Sequence, residues 1–327
     1  MDRQGLVSTR LILVEGLPGS GKSTTGQRLL LHLRRLGANA TWWAEEDPDH
    51  PLYPFHDQVS LRALLDDLAA GHHQRVIETA VGKWRDFAEQ LAGADGVTIL
   101  DACLFGYLTW TLYPHFDVPV ETVRAYLDRV VARLERLEPR LIYFHQRDLA
   151  AALGRIRAMR GPEVAASYVE RATGSPFGRR RGLAGFDGFV AYWRTWRDLA
   201  DAALARLPFP TLAIESSAGD WPAYDRAIVE FLGLPPFEPA RPIDLSRFAG
   251  TYVAGDRRCR VAVEDGALFG YDLPGAFHRT RLIPGTAPGH FHAEAWSFDV
   301  RFGDGTMTVG RQEWGSQDQS FVRATPG

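Results

Sequence analysis

A glycine-rich segment near the start of the chain constrains its fold more than any other feature. Residues 16–24 read GLPGSGKST, which fits the pattern G-x-x-x-x-G-K-[S/T]. The apolar run Leu11–Val14 precedes it directly and a helical pattern follows, so it joins a predicted strand to a predicted helix. Backbone N–H groups of such a turn at a helix N-terminus form an anion site. The sequence therefore predicts that this segment, the glycine-rich loop, binds a nucleoside triphosphate.

The side chains of the glycine-rich loop suggest ATP and Mg²⁺ as the ligands. The lysine charge can follow the β- and γ-phosphates, and the hydroxyl next to it can ligate Mg²⁺. A guanine-specific N-K-x-D motif would need a lysine that neither Lys22 nor Lys83, the two lysines of the chain, supplies, so a GTPase switch is disfavoured. The predicted nucleotide contacts are Gly16, Gly19, Ser20, Gly21, Lys22, Ser23 and Thr24.

Composition limits the remaining function classes. The net charge of −3 predicts no general attraction to nucleic acid or to an anionic membrane. The two cysteines, Cys103 and Cys259, lie far apart without metal-ligand spacing, which indicates neither a disulfide framework nor a zinc site and fits a reducing compartment. The ten histidines show neither H-E-x-x-H nor another metal-ligand spacing. Without a signal pattern or a long apolar run, we expect a cytoplasmic protein.

Alternating patterns over the first two thirds of the chain predict an α/β fold. Apolar runs separated by helix-period segments indicate a doubly wound, mainly parallel sheet that is covered on both faces. One helix is expected from Val120 to Leu137, and Asp187 and Asp220 are expected to cap two later helices, the second of which ends at Gly233. The predicted strands are residues 10–15, 38–44, 97–101, 140–145 and 211–215.

The pattern changes after Gly233. Residues 234–242 contain four prolines and predict an extended linker. Short alternating runs separated by turn signals such as Glu264-Asp265-Gly266 follow, and they predict a small antiparallel β domain. These runs are 250–253, 259–263, 267–271, 279–283, 290–293, 297–302 and 306–309. The predicted division is 1–233, 234–242 and 243–327.

The segment LILVEGLPGSGKST, residues 11–24, resembles the opening of P-loop kinases of the thymidylate kinase and deoxynucleoside kinase group, including Glu15 before the first glycine. The resemblance covers residues 10–232 in weaker form. It implies a P-loop sheet, bound ATP and Mg²⁺, and phosphoryl transfer to a small-molecule hydroxyl or phosphate.

In that group a carboxylate followed by proline ends the second strand and faces the phosphoryl acceptor. Here the acidic segment 45–50 occupies this place. The resemblance implies that Glu46, nearer Pro48, orients the acceptor and takes its proton, and that Glu45, Asp47 and His50 contact it. A solvated acidic loop without a catalytic role is the alternative.

Further matches suggest metal, lid and acceptor residues. The run 97–100 ends in Asp101, similar to the carboxylate that helps Ser23 hold Mg²⁺ in these kinases. Ala102 follows, where deoxynucleoside kinases carry an arginine, so a nucleoside acceptor is not implied. Arg157 and Arg160 resemble lid arginines, with residues 179–181 as alternatives. Trp84 is expected to form an aromatic wall of the acceptor pocket.

Two functions follow from these residues. The first is an ATP-dependent small-molecule kinase with an unidentified acceptor. The second is a regulatory ATPase whose β domain docks a partner and whose acidic segment transfers nothing. The sequence sets neither the oligomeric state nor the role of the β domain.

Overall fold

The computed structural model describes residues 9–45, 47, 49–160, 162–237, 243–285, 287–311 and 317–324, with the backbone alone at 159, 160 and 162. Helices and strands alternate up to residue 232, and strands dominate from residue 250 onward. Within the described residues, no helix is both long and apolar enough to cross a membrane.

The first part of the chain forms strands and helices with these bounds: β1 Leu11–Gly16, α1 Lys22–Arg35, β2 Ala40–Trp43, α2 Gln58–Ala69, α3 His73–Gly93, β3 Val97–Asp101, α4 Tyr107–Trp110, α5 Val120–Leu134, β4 Arg140–His145, α6 Leu149–Arg160, α7 Pro162–Thr173, α8 Pro176–Arg180, α9 Gly185–Leu204, β5 Thr211–Glu215 and α10 Trp221–Leu232. A π-helical turn at Thr111–His115 follows α4, and a 3-10 turn at Glu135–Leu137 follows α5.

The described strands of this part form a parallel sheet in the order β2-β3-β1-β4-β5. Strand β1 lies at the centre, paired with β3 on one side and β4 on the other. Its residues are buried on both faces of the sheet, as a parallel sheet between two helical layers requires. The loop after β1 therefore lies where the strand order reverses, which is the usual ligand position in such sheets. The predicted parallel α/β arrangement is confirmed at this level.

Local signals set several helix ends. Gly21 precedes α1 with φ of +100°, and Gly37 lies just beyond the end of α1 with φ of +84°. The Asp220 side chain accepts a hydrogen bond from the Ala223 N–H, and Gly233 ends α10, as predicted. The predicted cap at Asp187 is wrong, because α9 begins at Gly185 and places Asp187 inside its first turn.

The C-terminal region forms a closed antiparallel barrel whose described strands follow one another around it in chain order. Its interior is filled by the inward side chains of alternating residues, such as Phe291, Val300 and Phe321. The strand Gln319–Arg323 was not predicted, and its pairing with the strand Gly250–Ala254 closes the barrel. The strands are β6 Gly250–Ala254, β7 Arg257–Glu264, β8 Ala267–Tyr271, β9 Arg279–Pro284, β10 His290–Ala293, β11 Asp299–Gly303, β12 Thr306–Val309 and β13 Gln319–Arg323.

The start of the predicted linker packs on the α/β part. Leu234 is buried in the same core as α1 and α10. The Phe237 ring lies 4.7 Å from the His32 ring and under the Arg28 guanidinium. Residues 238–242 lie outside the described residues.

Candidate functional site

The glycine-rich loop has a backbone that only glycine adopts easily. Gly16, Gly19 and Gly21 all have positive φ, between +69° and +144°. Neighbouring groups also leave no room for a side chain at any of them. A Cβ would lie 2.4 Å from the Phe144 carbonyl oxygen at the first position, 2.5 Å from Ile156 Cγ1 at the second and 2.1 Å from the Trp221 ring at the third. Backbone conformation and crowding therefore both require glycine at these three positions of the loop.

The start of α1 presents donors to the cavity beside the loop. The first helical hydrogen bond runs from the Thr25 N–H to the Gly21 carbonyl at 3.0 Å. The N–H groups of Lys22, Ser23 and Thr24 consequently have no partner inside the helix. All three residues line the cavity, and Lys22 Nζ donates to the Leu17 carbonyl oxygen at 3.0 Å. This geometry suits an anion.

Not every predicted contact residue of the loop faces this cavity. Ser20 is buried, and its N–H donates to the Leu17 carbonyl at 3.2 Å. Its hydroxyl packs against Gly16, where an added Cβ would be 2.9 Å away. The Ser20 side chain therefore shapes the loop and is not among the residues that line the cavity.

The cavity has a volume of about 490 Å³ and runs from the glycine-rich loop into the helical layer. Its far part, which we call the aromatic chamber, is lined by Trp110, Tyr168, Phe189, Tyr192, Trp193 and Trp196. The Trp110 and Trp193 rings are nearly parallel, with centroids 6.3 Å apart. Arg171 contributes a cationic group to the same wall. The chamber therefore suits a flat apolar molecule that carries a polar or acidic group.

Two carboxylates are buried beneath the glycine-rich loop. Glu15 is fully buried at the end of β1, where its oxygens accept hydrogen bonds from the Leu104 N–H at 2.7 Å and the Phe105 N–H at 3.2 Å. Burial raises the pKa of Glu15 to about 8, although those bonds and the charge of Lys22 oppose the rise. Asp101 ends the neighbouring strand and is 1% exposed, whereas the next residue, Ala102, lines the cavity.

The acidic segment after β2 separates into residues with different surroundings. Glu45 lines the cavity, and its Oε1 accepts a hydrogen bond from the Tyr107 N–H at 3.2 Å. Asp47 instead accepts from the Ala44 N–H at 2.8 Å and bonds with Ser297 of the barrel, and burial raises its pKa. The predicted base, Glu46, lies outside the described residues. Of this segment, Glu45 is the described carboxylate that faces the cavity.

His50 is a core residue and not a wall of the cavity. Its ring stacks on Tyr53 at 4.4 Å, and Nε2 lies 3.2 Å from Cys103 Sγ. Burial lowers the pKa of His50 to about 3, so the ring stays neutral. The predicted contact of His50 with an acceptor is therefore replaced by packing, because the chain turns inward after residue 49.

The predicted lid arginines make local contacts. Arg157 lies over the Phe186 ring at 4.6 Å and is not among the cavity-lining residues. The Arg160 side chain lies outside the described residues. Arg180 and Arg181 both pair with Asp117, at 2.6 and 3.0 Å. Among the residues that the structure describes, the arginine that lines the cavity is Arg171, three residues after Tyr168 on α7, and this spacing on one helix face could have indicated both.

Trp84 does not form a wall of the cavity. It is 2% exposed, and its Nε1 donates to the Tyr126 hydroxyl at 3.1 Å within the core between α3 and α5. The aromatic wall comes from α4, α7 and α9 instead. Trp84 was predicted in the cavity wall because it lies between the second and third strands of the sequence. The helix α3 is amphipathic, however, and turns this ring toward α5.

The barrel contributes a wall that the sequence did not predict. Phe277, just before β9, and residues 295–298, on the connection between β10 and β11, line the cavity near the glycine-rich loop. Gln27 of α1 is buried and holds that connection: its amide nitrogen donates to the carbonyls of Ala293 and Trp296, and its Oε1 accepts from the Ala295 N–H. The site is thus built by both parts of the chain.

The chain matches no protein-family model and shows no significant sequence similarity to a curated protein.

Proposed function

We propose that the protein is a phosphotransferase that moves the γ-phosphoryl group of ATP to a hydroxyl of a small, mainly apolar acceptor. The observation that supports this most is the continuity of the cavity, which joins the glycine-rich loop to the aromatic chamber. Its volume of about 490 Å³ falls in the range of small-molecule sites. A regulatory ATPase would need the part of this cavity at the glycine-rich loop but not the aromatic chamber.

The loop end fits the phosphates of a nucleotide. Free N–H groups at the start of α1, the positive end of the helix dipole and the Lys22 ammonium all favour an anion. The donor set of the Ser23 hydroxyl and the Asp101 carboxylate consists of oxygens alone, which suits Mg²⁺. Ser23 and Asp101 would hold the ion. The ion would neutralise charge on the phosphate oxygens.

Transfer at this site requires a base for the acceptor hydroxyl. The acceptor oxygen forms a bond to the γ-phosphorus, the bond from that phosphorus to the bridging oxygen breaks, and ADP leaves with the electron pair. The proton of the hydroxyl passes to a carboxylate, and Glu45 in the cavity wall is suited to take it. Lys22 offsets the negative charge on the transferring group.

The aromatic chamber indicates the class of acceptor. Six aromatic side chains and one arginine favour a flat apolar body with a single acidic or polar group, over a heavily hydroxylated sugar. The test is a panel of phenols, aryl alcohols, alicyclic alcohols and sugars, incubated with Mg·ATP and examined for phosphorylated product by mass spectrometry. We expect product from the aryl or alicyclic members.

Substitution in the chamber tests the same proposal. Trp193→Leu should raise the acceptor KM by about tenfold, with little effect on the KM for ATP, because the lost stacking is worth on the order of 1 kcal/mol or more. Phe231→Leu on α10, which is remote from the chamber, is the control. ATP hydrolysis that no acceptor accelerates would favour the regulatory ATPase, and failure to bind Mg·ATP would overturn both functions.

A further inference from the structure

A cluster of two histidines and a carboxylate lies on the outer face of the barrel. Along β10, Phe291 and Ala293 are buried inside the barrel, so His290 and His292 point outward from alternate positions. Strand β11 pairs antiparallel with β10 and places Asp299 directly opposite His292. The three side chains therefore share one face of two neighbouring strands.

The distances within the cluster are short. His290 Nε2 lies 2.8 Å from Asp299 Oδ2, and His292 Nδ1 lies 2.5 Å from Asp299 Oδ1. One ligand atom from each residue lies within 4.8 Å of the others. Ligands about 2.1 Å from one tetrahedral ion are separated by roughly 3.4 Å, so small side-chain movements would bring these atoms onto a common ion.

The surroundings leave space for the rings and for solvent ligands. An added Cβ at Gly285 would lie 2.7 Å from His290 Nδ1, so the glycine makes room for that ring. The side chains are between 13% and 34% exposed, which leaves one side of the cluster open. Arg301 stands opposite His290 on the same face, but it pairs with Asp318.

A simple ion pair explains the cluster less well. The same barrel contains such a pair at His278 and Asp272, where one exposed histidine lies 2.6 Å from one carboxylate. The cluster adds a second imidazole whose ring centroid is 4.9 Å from the first. The second imidazole brings a third ligand atom to the cluster, where the His278 pair offers two, and three converging ligand atoms from two histidines and one carboxylate are the set that holds a catalytic zinc ion.

We propose that His290, His292 and Asp299 bind a divalent transition-metal ion, with zinc as the representative case. Two imidazole nitrogens and one carboxylate suit Zn²⁺, Co²⁺ or Ni²⁺ better than Mg²⁺ or Ca²⁺, which prefer oxygen ligands. The site is separate from the magnesium position near Ser23. Two of its ligands, His292 and Asp299, flank the connection whose residues 295–298 line the cavity, so the ion would fix both ends of that connection.

The experiment uses full-length protein without an affinity tag, stripped with chelator and freed of nucleotide. Titration with ZnCl₂ in a calorimeter, in the presence of millimolar Mg²⁺, should give one site with a dissociation constant of about 1 μM or tighter. Co²⁺ should give visible absorption bands typical of nitrogen and oxygen ligands. A wild-type protein that binds neither ion more tightly than about 100 μM would overturn the proposal.

Substitutions identify the ligands. His292→Ala and Asp299→Ala should each weaken Zn²⁺ binding by about a hundredfold or more, since even outer groups around a metal contribute tenfold to hundredfold. His278→Ala removes the histidine of the His278–Asp272 pair on the same barrel and should leave the Zn²⁺ affinity unchanged. Unchanged affinity in a His290→Ala/His292→Ala double variant would disprove the assignment.

Hydrogen exchange of the wild-type protein tests the site without any substitution, so its result does not depend on whether a variant folds. Zn²⁺ should slow exchange in peptides that cover residues 290–303 and leave the strand pair β7–β8 unchanged. Equal exchange with and without Zn²⁺ would contradict the proposed site. None of these measurements requires ATP or an acceptor, so their failure is distinct from failure of the phosphotransferase proposal.

Discussion

Two clusters of titratable side chains, one at the glycine-rich loop and one on the barrel, lie in opposite surroundings. Glu15, Lys22 and Asp101 are almost completely buried, so a charge on one of them acts on the others in a medium that screens it poorly. His290, His292 and Asp299 are partly exposed on adjacent strands. Burial thus makes the first cluster sensitive to any change of charge, whereas the second is open to solvent on one side.

Lys22→Ala should have the largest effect in the buried cluster. Removal of the ammonium should lower kcat/KM for phosphoryl transfer by about 10³-fold or more and weaken Mg·ATP binding, because a charge aimed at the phosphates is lost from a poorly screened site. Lys83, an exposed lysine on α3, gives the matched control Lys83→Ala. Calorimetry that finds equal Mg·ATP affinity in wild type and Lys22→Ala would end the nucleotide assignment of the loop.

Glu45→Gln should have the next largest effect, since it removes the described carboxylate of the acidic segment that lines the cavity. Transfer should fall by about 10²-fold or more while ATP affinity stays unchanged, because a base acts on the hydroxyl and not on the nucleotide. Glu46→Gln is the natural comparison, since the sequence favours Glu46. Loss of transfer in Glu46→Gln alone would show that the base is Glu46 and not Glu45.

Glu15 should make stability depend on pH. Its pKa is raised from an ordinary 4.5 to about 8, so the native state holds this proton where the unfolded chain has lost it. The contribution to stability is full below about pH 4.5 and is lost as pH rises to about 8, at about 1.4 kcal/mol per pKa unit. Urea unfolding between pH 5 and 8.5 should show this decline in wild type and in the exposed control Glu89→Gln, and a flatter profile in Glu15→Gln. Parallel profiles would remove Glu15 as the cause.

Gln27 of α1 connects the α/β part to the barrel, and its replacement should give the smallest effect of these variants. Gln27→Ala leaves buried carbonyls and one N–H of the barrel connection without their partner, at a cost of about 1–3 kcal/mol in unfolding free energy. Because residues 295–298 line the cavity, the KM for ATP or acceptor should rise a few fold as well. Gln90→Ala, on an exposed position of α3, should alter neither quantity. Identical melting and KM values for wild type and Gln27→Ala would show that the contact does not hold the barrel wall in place.

Much of the fold could be predicted from local patterns. The strands 97–101, 140–145 and 211–215 and the helix 221–232 have the predicted bounds, because buried runs and end signals such as Asp220 and Gly233 act over a few residues. The strand Gln319–Arg323 was missed because it lies after the last predicted run and carries weak alternation. Its place in the barrel depends on partners in β6 and β12.

The residues of the candidate site also separate into those that the sequence could locate and those that it could not. The glycine-rich loop could be located because its function requires particular residues at a fixed spacing, and glycine is needed where φ is positive. Trp84 and His50 could not be judged, because an aromatic or imidazole side chain looks the same in sequence whether it packs in a core or lines a cavity. The barrel wall was missed because its position depends on the contact with Gln27, which is distant in the chain.

The sequence by itself determined the parallel α/β part, the glycine-rich loop, the antiparallel character of the C-terminal region and the presence of carboxylates after β2 and β3. These properties arise from local backbone preferences and from hydrophobic periodicity. Only the tertiary structure decided which side chains meet. The pairing of His292 with Asp299 depends on strand register, the position of residues 295–298 depends on the contact with Gln27, and the pKa of Glu15 depends on burial from all sides. Each of these is set by atoms that are distant in the chain, so no local pattern records them.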